Sequence, residues 1–143
     1  MATLYETIYE AFFDKVRDYD LVDMAEADAK SYLHRLLSSS VVKFNSNLEK
    51  EVLFLDDENE CFTEELKGIE IDVITDFMVE YWTRPYYYNN ELLRNVISTK
   101  DFTQYSNANL LNAICTAYKT SHERAESNMN KYTFAVNDVR DLL

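Results

Sequence analysis

Glycine and proline are almost missing from this chain of 143 residues, which has one of each, Gly68 and Pro85. Because these residues mark tight turns, their scarcity disfavours β-sandwiches and doubly wound α/β domains, which need many turns. It also argues against the glycine-rich loops that bind phosphates and dinucleotides. Long stretches are left with nothing to interrupt a helix, and we therefore expect an all-α fold.

Cysteine and long apolar runs are scarce as well. The two cysteines, Cys61 and Cys115, stand in no CxxC or Cys/His pattern, and we expect both to be reduced thiols in a cytosolic chain. No apolar run is long enough to span a bilayer, and the N-terminus does not resemble a signal peptide. We therefore expect no association with a membrane.

Basic residues are fewer than acidic ones. The chain has 14 Lys and Arg and 26 Asp and Glu, which gives a net charge of −12. Proteins that grip nucleic-acid phosphates or anionic membranes need clustered Lys and Arg, so this balance argues against both classes. It is compatible with a solvated surface, with a basic protein partner, or with a wall that DNA passes without binding.

Apolar residues recur with helical spacing and predict an all-α helical bundle with a long C-terminal helix. The spacing of Thr3 and Glu6 is that of a capping box, and Asp23 is placed to cap the second helix. Pro85 predicts that the third helix stops near Thr83. The predicted helices lie near 3–18, 23–38, 63–83, 90–98 and 106–131.

The predicted helix at 63–83 carries the strongest candidate core, and four large apolar side chains are expected to pack together. Residues 45–62 are less regular, and we expect a surface connection there with a short helix at 47–53. The expected core members are Ile74, Phe77, Trp82 and Ile114.

The last predicted helix turns polar in its second half, which indicates that it leaves the core, meets a partner, or frays into solvent. An apolar tail follows it. We therefore divide the chain into a bundle domain, 1–133, and an extended C-terminal tail, 134–143. The apolar residues of the tail are Phe134, Val136, Val139, Leu142 and Leu143.

The sequence contains no recognisable catalytic or metal-binding pattern. The acidic run 56–60 fails as a calcium loop, because Cys61 and Lys67 occupy the positions where an EF-hand needs Gly and Glu. His34 and His122 are the only histidines, and a surface position is expected for each. We expect no enzyme activity, no metal, no cofactor and no small-molecule substrate.

Three segments together resemble a head–tail connector, or adaptor, protein of tailed bacteriophages. The first is the aromatic helix LYETIYEAFFDKVRDYDLVDM at 4–24, and the second is FLDDENECFTEELKGIEIDVITDFMVEYW at 54–82. The third runs from NNELLRNV to NMNKYTF at 89–134. The resemblance covers most of the chain and rests on the residue composition of these segments and on their order.

The resemblance implies a structural virion protein at the head–tail interface, made in the host bacterial cytoplasm. Such proteins form a ring, usually of twelve subunits, beneath the portal protein. They extend the DNA channel, through which DNA passes without specific binding, and dock the next neck or tail protein. The tail residues named above are then candidates for portal docking. Candidates for a subunit or tail interface are Arg84, Tyr86, Tyr87 and Tyr88.

Two other functions stay open. One is an acidic DNA mimic of the anti-restriction type, which inhibits a DNA-binding host enzyme. Such a mimic needs carboxylates spaced like phosphates over a continuous face, and in this chain Lys and Arg interleave the acids. The other is a host cytosolic interaction domain whose partner the sequence does not identify.

Overall fold

The structure is a computed structural model, and it describes residues 2–48, 51–89 and 107–136. The fold is all-α, as predicted, with a single short hairpin among the described residues. No described helix is both long and apolar enough to cross a membrane. The elements are α1 (Tyr5–Arg17), α2 (Val22–Glu26), α3 (Lys30–Asn47), β1 (Leu55–Asp56), β2 (Cys61–Phe62), α4 (Gly68–Tyr88) and α5 (Asn107–Val136). The helix predicted at 90–98 lies outside the described residues.

Helix α4 is the centre of the bundle, and α1, α3 and α5 pack around it. Tyr132 of α5 contacts Glu70 near the start of α4, whereas Tyr118 contacts Tyr88 at its end. The two helices are therefore antiparallel. Because α4 is covered on several sides, its sequence from 73 to 80 is buried almost without interruption rather than in a single stripe.

The four predicted core residues, Ile74, Phe77, Trp82 and Ile114, are all at most 1% exposed and belong to one hydrophobic cluster. Phe12 of α1 meets the edge of the Trp82 ring, with the ring centroids 5.8 Å apart. The indole N–H of Trp82 donates a hydrogen bond to Asp28 Oδ2 at 2.6 Å, which satisfies its only donor.

The second predicted helix, 23–38, is in fact two helices, α2 and α3. The predicted end at residue 38 also differs, because α3 continues to Asn47. The Ser40 hydroxyl donates to the Leu36 carbonyl at 2.7 Å, inside the helix. Val41 and Phe44 are buried, so their packing outweighs the low helix propensity of the serines.

The predicted helix starts differ from the observed ones. The N-cap of α1 is Leu4 and that of α2 is Leu21, and neither cap makes a side-chain hydrogen bond. Thr3 instead accepts a hydrogen bond on Oγ1 from the Leu66 backbone N–H at 2.8 Å. The expected capping box is therefore wrong, because Thr3 ties the N-terminus to the segment before α4.

The connection before α4 contains a hairpin rather than the short helix expected at 47–53. Residues 51–54 have no helical structure, and β1 then pairs antiparallel with β2. The side chain of Asn45 holds this segment against α3. Its Oδ1 accepts from the backbone N–H groups of Val52 and Leu53, both at 3.0 Å, and its amide donates to the Leu53 carbonyl at 2.9 Å.

Pro85 does not end α4, which continues to Tyr88. Proline deprives one turn of its backbone hydrogen bond, but tertiary packing beyond it retains the helix. Tyr86 packs against the hydrophobic cluster, and the ring of Tyr87 stacks on Tyr118 with centroids 4.4 Å apart. The prediction of an end at Thr83 is therefore wrong by five residues.

Replacement of Phe77 tests the core. Phe77→Ala should lower the free energy of unfolding by about 3–5 kcal/mol, because it removes a buried ring and leaves a cavity. Phe54→Ala is the matched control, since Phe54 is 47% exposed, and it should cost less than about 1 kcal/mol. Urea unfolding followed by circular dichroism measures both. Equal losses would show that Phe77 is not part of the core.

Candidate interaction surface

Three tyrosines form a cluster where the end of α4 meets α5, and we call Tyr87, Tyr88 and Tyr118 the tyrosine patch. Tyr87 and Tyr118 are stacked, with an interplanar angle of 15°. The hydroxyls of Tyr88 and Tyr118 are 3.1 Å apart and share a hydrogen bond. Tyr88 is 70% exposed. The patch therefore offers solvent an ordered aromatic surface of the kind enriched at protein interfaces.

Arg84 borders this patch, one turn before Tyr88. Its guanidinium lies over the Tyr81 ring, 4.9 Å from the centroid, and its Nη2 is 3.9 Å from Glu80 Oε2. Both contacts leave the side chain about 41% exposed. Arg84 therefore adds a positive charge at the edge of the patch.

Tyr86 differs from the other residues predicted for this interface. Its side chain is half-buried and packs against the hydrophobic cluster. Burial, together with the charge of Asp28, raises the pKa of the Tyr86 hydroxyl. The structure therefore brings Arg84, Tyr87 and Tyr88 together at the surface and places Tyr86 on the core side of α4.

Helix α5 adds a residue that was not predicted for the surface. Leu111 is 39% exposed and lies two turns before Tyr118 on the same face. The sequence carried a signal for it, because a spacing of seven residues on a helix places two side chains on one side. Tyr118 is half-buried and contacts both tyrosines of α4.

The polar second half of α5 does not leave the core. Its inward residues remain buried, and its polar side chains contact three buried carboxylates of α4, at Glu70, Asp76 and Glu80. Neither the departure from the core nor the fraying considered above occurs within the described part of α5. The inward residues of this half are Ser121, Ala125, Met129 and Tyr132.

Glu80 has no exposed side-chain area and is held by polar side chains from two other helices. Lys43 of α3 donates to its Oε2 at 2.8 Å, and Nδ1 of His122 on α5 contacts its Oε1. Nε2 of His122 is also 3.2 Å from Glu126. Burial opposes ionisation, but the hydrogen bonds from Lys43 and His122 outweigh it, so the pKa of Glu80 is lowered.

Asp76, one turn earlier, is equally buried and joins α1 to α5. Lys15 Nζ is 3.0 Å and Arg124 Nη2 is 3.1 Å from its Oδ1, and Arg124 also donates to the Tyr19 hydroxyl. Burial lowers the pKa of Lys15 although Asp76 favours its charge. Asp76 Oδ2 has no hydrogen-bond partner among the described residues.

Glu70 completes the row at the start of α4. It accepts from the Tyr132 hydroxyl at 2.6 Å and from the backbone N–H of Lys67 at 2.7 Å. The second bond satisfies a donor at the first turn of α4. Burial, followed by the hydrogen bond to Glu70, raises the pKa of Tyr132 well above its usual value.

The other histidine, His34, also has a partner. Its Nε2 is 2.9 Å from Asp57 Oδ1, which accepts from the Tyr5 hydroxyl at 2.6 Å as well. The bond from Tyr5, followed by that from His34, lowers the pKa of Asp57. Both histidines are part-exposed, as expected, but each anchors a tertiary contact. Partners 23 and 42 residues away in the chain gave the sequence no signal of this.

Two of the five residues predicted to dock a portal are in α5. Phe134 is 67% exposed, and Val136 is the last residue of the helix. The helix therefore passes the predicted domain boundary at 133. Val139, Leu142 and Leu143 lie outside the described residues.

Removal of the Lys43 charge tests the buried row. Lys43→Met should lower the stability by about 3 kcal/mol at neutral pH, since it leaves a buried carboxylate with fewer cations. Lys119→Met is the control, because Lys119 is exposed and has no ion pair among the described residues, and it should cost less than about 0.5 kcal/mol.

The loss of stability in Lys43→Met should depend on pH. The pKa of Glu80 is lower in the folded protein than its ordinary value of 4.5. The stabilisation that the ionised Glu80 gives to the folded state is therefore complete above pH 4.5. It is lost as the pH falls through the pKa of Glu80 in the folded protein. The difference between wild type and Lys43→Met, measured by denaturant unfolding, should shrink below that pH. A difference that does not change with acidification contradicts the assignment.

Comparison with known proteins gave no match: no family model fits the chain, and no curated protein or solved structure is significantly similar to it. In the described part of the chain, no group of three or more His, Cys, Asp or Glu side chains is arranged to hold a metal ion.

Proposed function

We propose that the chain is a structural protein of a tailed bacteriophage, a head–tail connector subunit in a ring beneath the portal. The proposed location is the head–tail interface of the virion, and the proposed partners are the portal protein, the next neck or tail protein and neighbouring copies of the chain. The observation that carries this proposal is the tyrosine patch, an ordered and exposed aromatic surface on an all-helical acidic bundle.

A second exposed aromatic residue supports the proposal, because a ring subunit contacts partners on more than one side. Phe134 follows Tyr118 on α5 at a distance of about 24 Å along the axis, and about 160° around it. The three buried carboxylates of α4 fix α5 between these two points. The separation of the two surfaces is therefore set by the bundle itself.

The charge of the protein supports a channel function. A wall of net negative charge repels DNA phosphates, so DNA is able to pass without sticking. Glu6 and Glu10 are exposed on one face of α1, with Asp14 a turn further on. Such a row fits a surface past which DNA slides.

The same row favours a second candidate function, an acidic DNA mimic that inhibits a DNA-binding host enzyme. Three other carboxylates, at Glu70, Asp76 and Glu80, are buried and paired internally, so they cannot contribute to a phosphate-like array. Competition between the protein and duplex DNA for a restriction enzyme tests this function. Inhibition that is lost when Glu6 and Glu10 are both changed to Gln favours the mimic over the connector.

Assembly with the portal protein of the encoding phage tests the connector function. Size-exclusion chromatography with light scattering should show a ring-sized complex when both proteins are mixed. Tyr88→Ala should weaken this complex at least about tenfold, as expected for an aromatic anchor, and should change stability by less than about 1 kcal/mol. Val42→Ala is the control, since Val42 is 69% exposed on another helix. A chain that stays monomeric with portal and is missing from purified virions contradicts the proposal.

Truncation after Val136 tests the predicted docking tail. Because α5 ends at Val136, removal of 137–143 leaves every described helix intact. We expect the melting temperature to stay the same and portal binding to be lost, since the tail supplies apolar side chains to a portal groove. A truncated chain that melts markedly lower and still binds portal would show that the tail belongs to the bundle.

A further inference from the structure

A groove of about 610 Å³ opens between α1, the first turn of α3 and the hairpin turn, away from the tyrosine patch and the buried carboxylates. Its apolar residues include Tyr9 and Leu33, which are nearly buried, and Leu4, which is 52% exposed. The groove therefore offers an apolar floor that is accessible from solvent, and no other described element covers it.

One face of α1 forms a wall of this groove. Glu6, Tyr9, Glu10 and Phe13 stand at positions i, i+3, i+4 and i+7 of the helix, and all four line the groove. Two carboxylates thus alternate with two aromatic rings along about two helical turns. Aromatic faces beside carboxylates are the surroundings in which a guanidinium gains both stacking and ion pairing.

The charge of the groove is negative. Glu60, at the hairpin turn, adds a third exposed carboxylate to Glu6 and Glu10. Lys30 is the lysine of the opposite wall, and His34 beside it is already paired with Asp57. Three carboxylates thus exceed the available cations, and the groove is complementary to a positively charged ligand.

Tyr9 adds a hydrogen-bonding group to the apolar floor of the groove. Its side chain is 7% exposed, and its hydroxyl has no hydrogen-bond partner in the parts of the chain that the structure describes. Burial, followed by the charges of Glu60 and Asp57, raises the pKa of Tyr9 to about 12, so the hydroxyl keeps its proton at neutral pH. It is therefore a free donor, for which a peptide carbonyl is a natural acceptor.

We propose that this groove binds a segment of a protein partner in which an arginine stands beside an aliphatic residue. The aliphatic side chain packs on the apolar floor, and the guanidinium pairs with Glu6 and Glu10 against the Phe13 ring. The backbone of the segment accepts the Tyr9 hydrogen bond. Arginine fits better than lysine, because its planar fork stacks on a ring and binds carboxylates in pairs. The proposal does not depend on a role in the virion.

Isothermal titration of the whole chain with short peptides tests this binding at low salt. The probe is Ac-Leu-Arg-Leu-Arg-NH2, and Ac-Leu-Gln-Leu-Gln-NH2 and Ac-Leu-Lys-Leu-Lys-NH2 are its comparisons. We expect the affinity to fall in the order arginine, lysine, glutamine, with at least about a tenfold difference between the first and the last. No binding of the arginine peptide at about 5 mM, or equal affinity for the glutamine peptide, overturns the proposal.

Variants of the chain place the peptide in the groove. Glu6→Gln combined with Glu10→Gln should weaken arginine-peptide binding about tenfold or more, and Tyr9→Phe about two- to tenfold, the worth of one hydrogen bond. Glu65→Gln combined with Glu123→Gln is the control. It removes the same charge from exposed positions outside the groove, and the affinity should stay within about twofold.

Two results contradict a specific groove. If the control variant loses as much affinity as the Glu6 and Glu10 variant, the peptide is held by general electrostatic attraction. If neither Tyr9→Phe nor the Glu6 and Glu10 variant changes the affinity, the peptide binds elsewhere. A peptide of residues 137–143 of this chain is a further probe, because it contains Arg140 next to Val139. If it binds more tightly than the arginine peptide, the occupant is the chain's own tail, and the proposed external partner is wrong.

Discussion

The buried carboxylate of Glu80 is the constraint on which the arrangement of the helices depends. An ion without exposed area is stable only when cations and hydrogen bonds replace its water. Lys43 of α3 and His122 of α5 supply them. A slip of α5 by one turn moves its residues about 5.4 Å along the axis. Such a slip would remove a hydrogen bond from Glu80 and from Glu70 at the same time, because His122 and Tyr132 would both move away from them.

The same register builds the exposed surface. With His122 fixed at Glu80, α5 places Tyr118 one turn further toward the end of α4, where it meets Tyr87 and Tyr88. The interior ion pairs and the tyrosine patch are therefore successive contacts of one antiparallel helix pair. This coupling explains why α4 remains helical beyond Pro85, since the stacked tyrosines compensate for the turn that proline weakens.

The sequence predicted what depends on local pattern and missed what depends on distant partners. The spacing of Ile74, Phe77 and Trp82 showed the core face of α4, because apolar periodicity reports burial directly. The polar half of α5 looked like a surface, since nothing near Arg124 in the chain reveals that Asp76, 48 residues away, will be buried beside it. Thr3 was misread for the same reason. Of the surface, the sequence marked Tyr87 and Tyr88 but not the groove, which only the fold assembles.

The interior ion pairs also change how the net charge of −12 acts at the surface. Four of the 14 Lys and Arg residues face two buried acids, Asp76 and Glu80. Fewer cations remain to neutralise the exposed carboxylates, so these are less compensated than the composition suggests. Glu6 and Glu10 are among these exposed carboxylates, and they line the apolar groove. A surface of this kind repels phosphates along its length while it attracts a cationic side chain at one place.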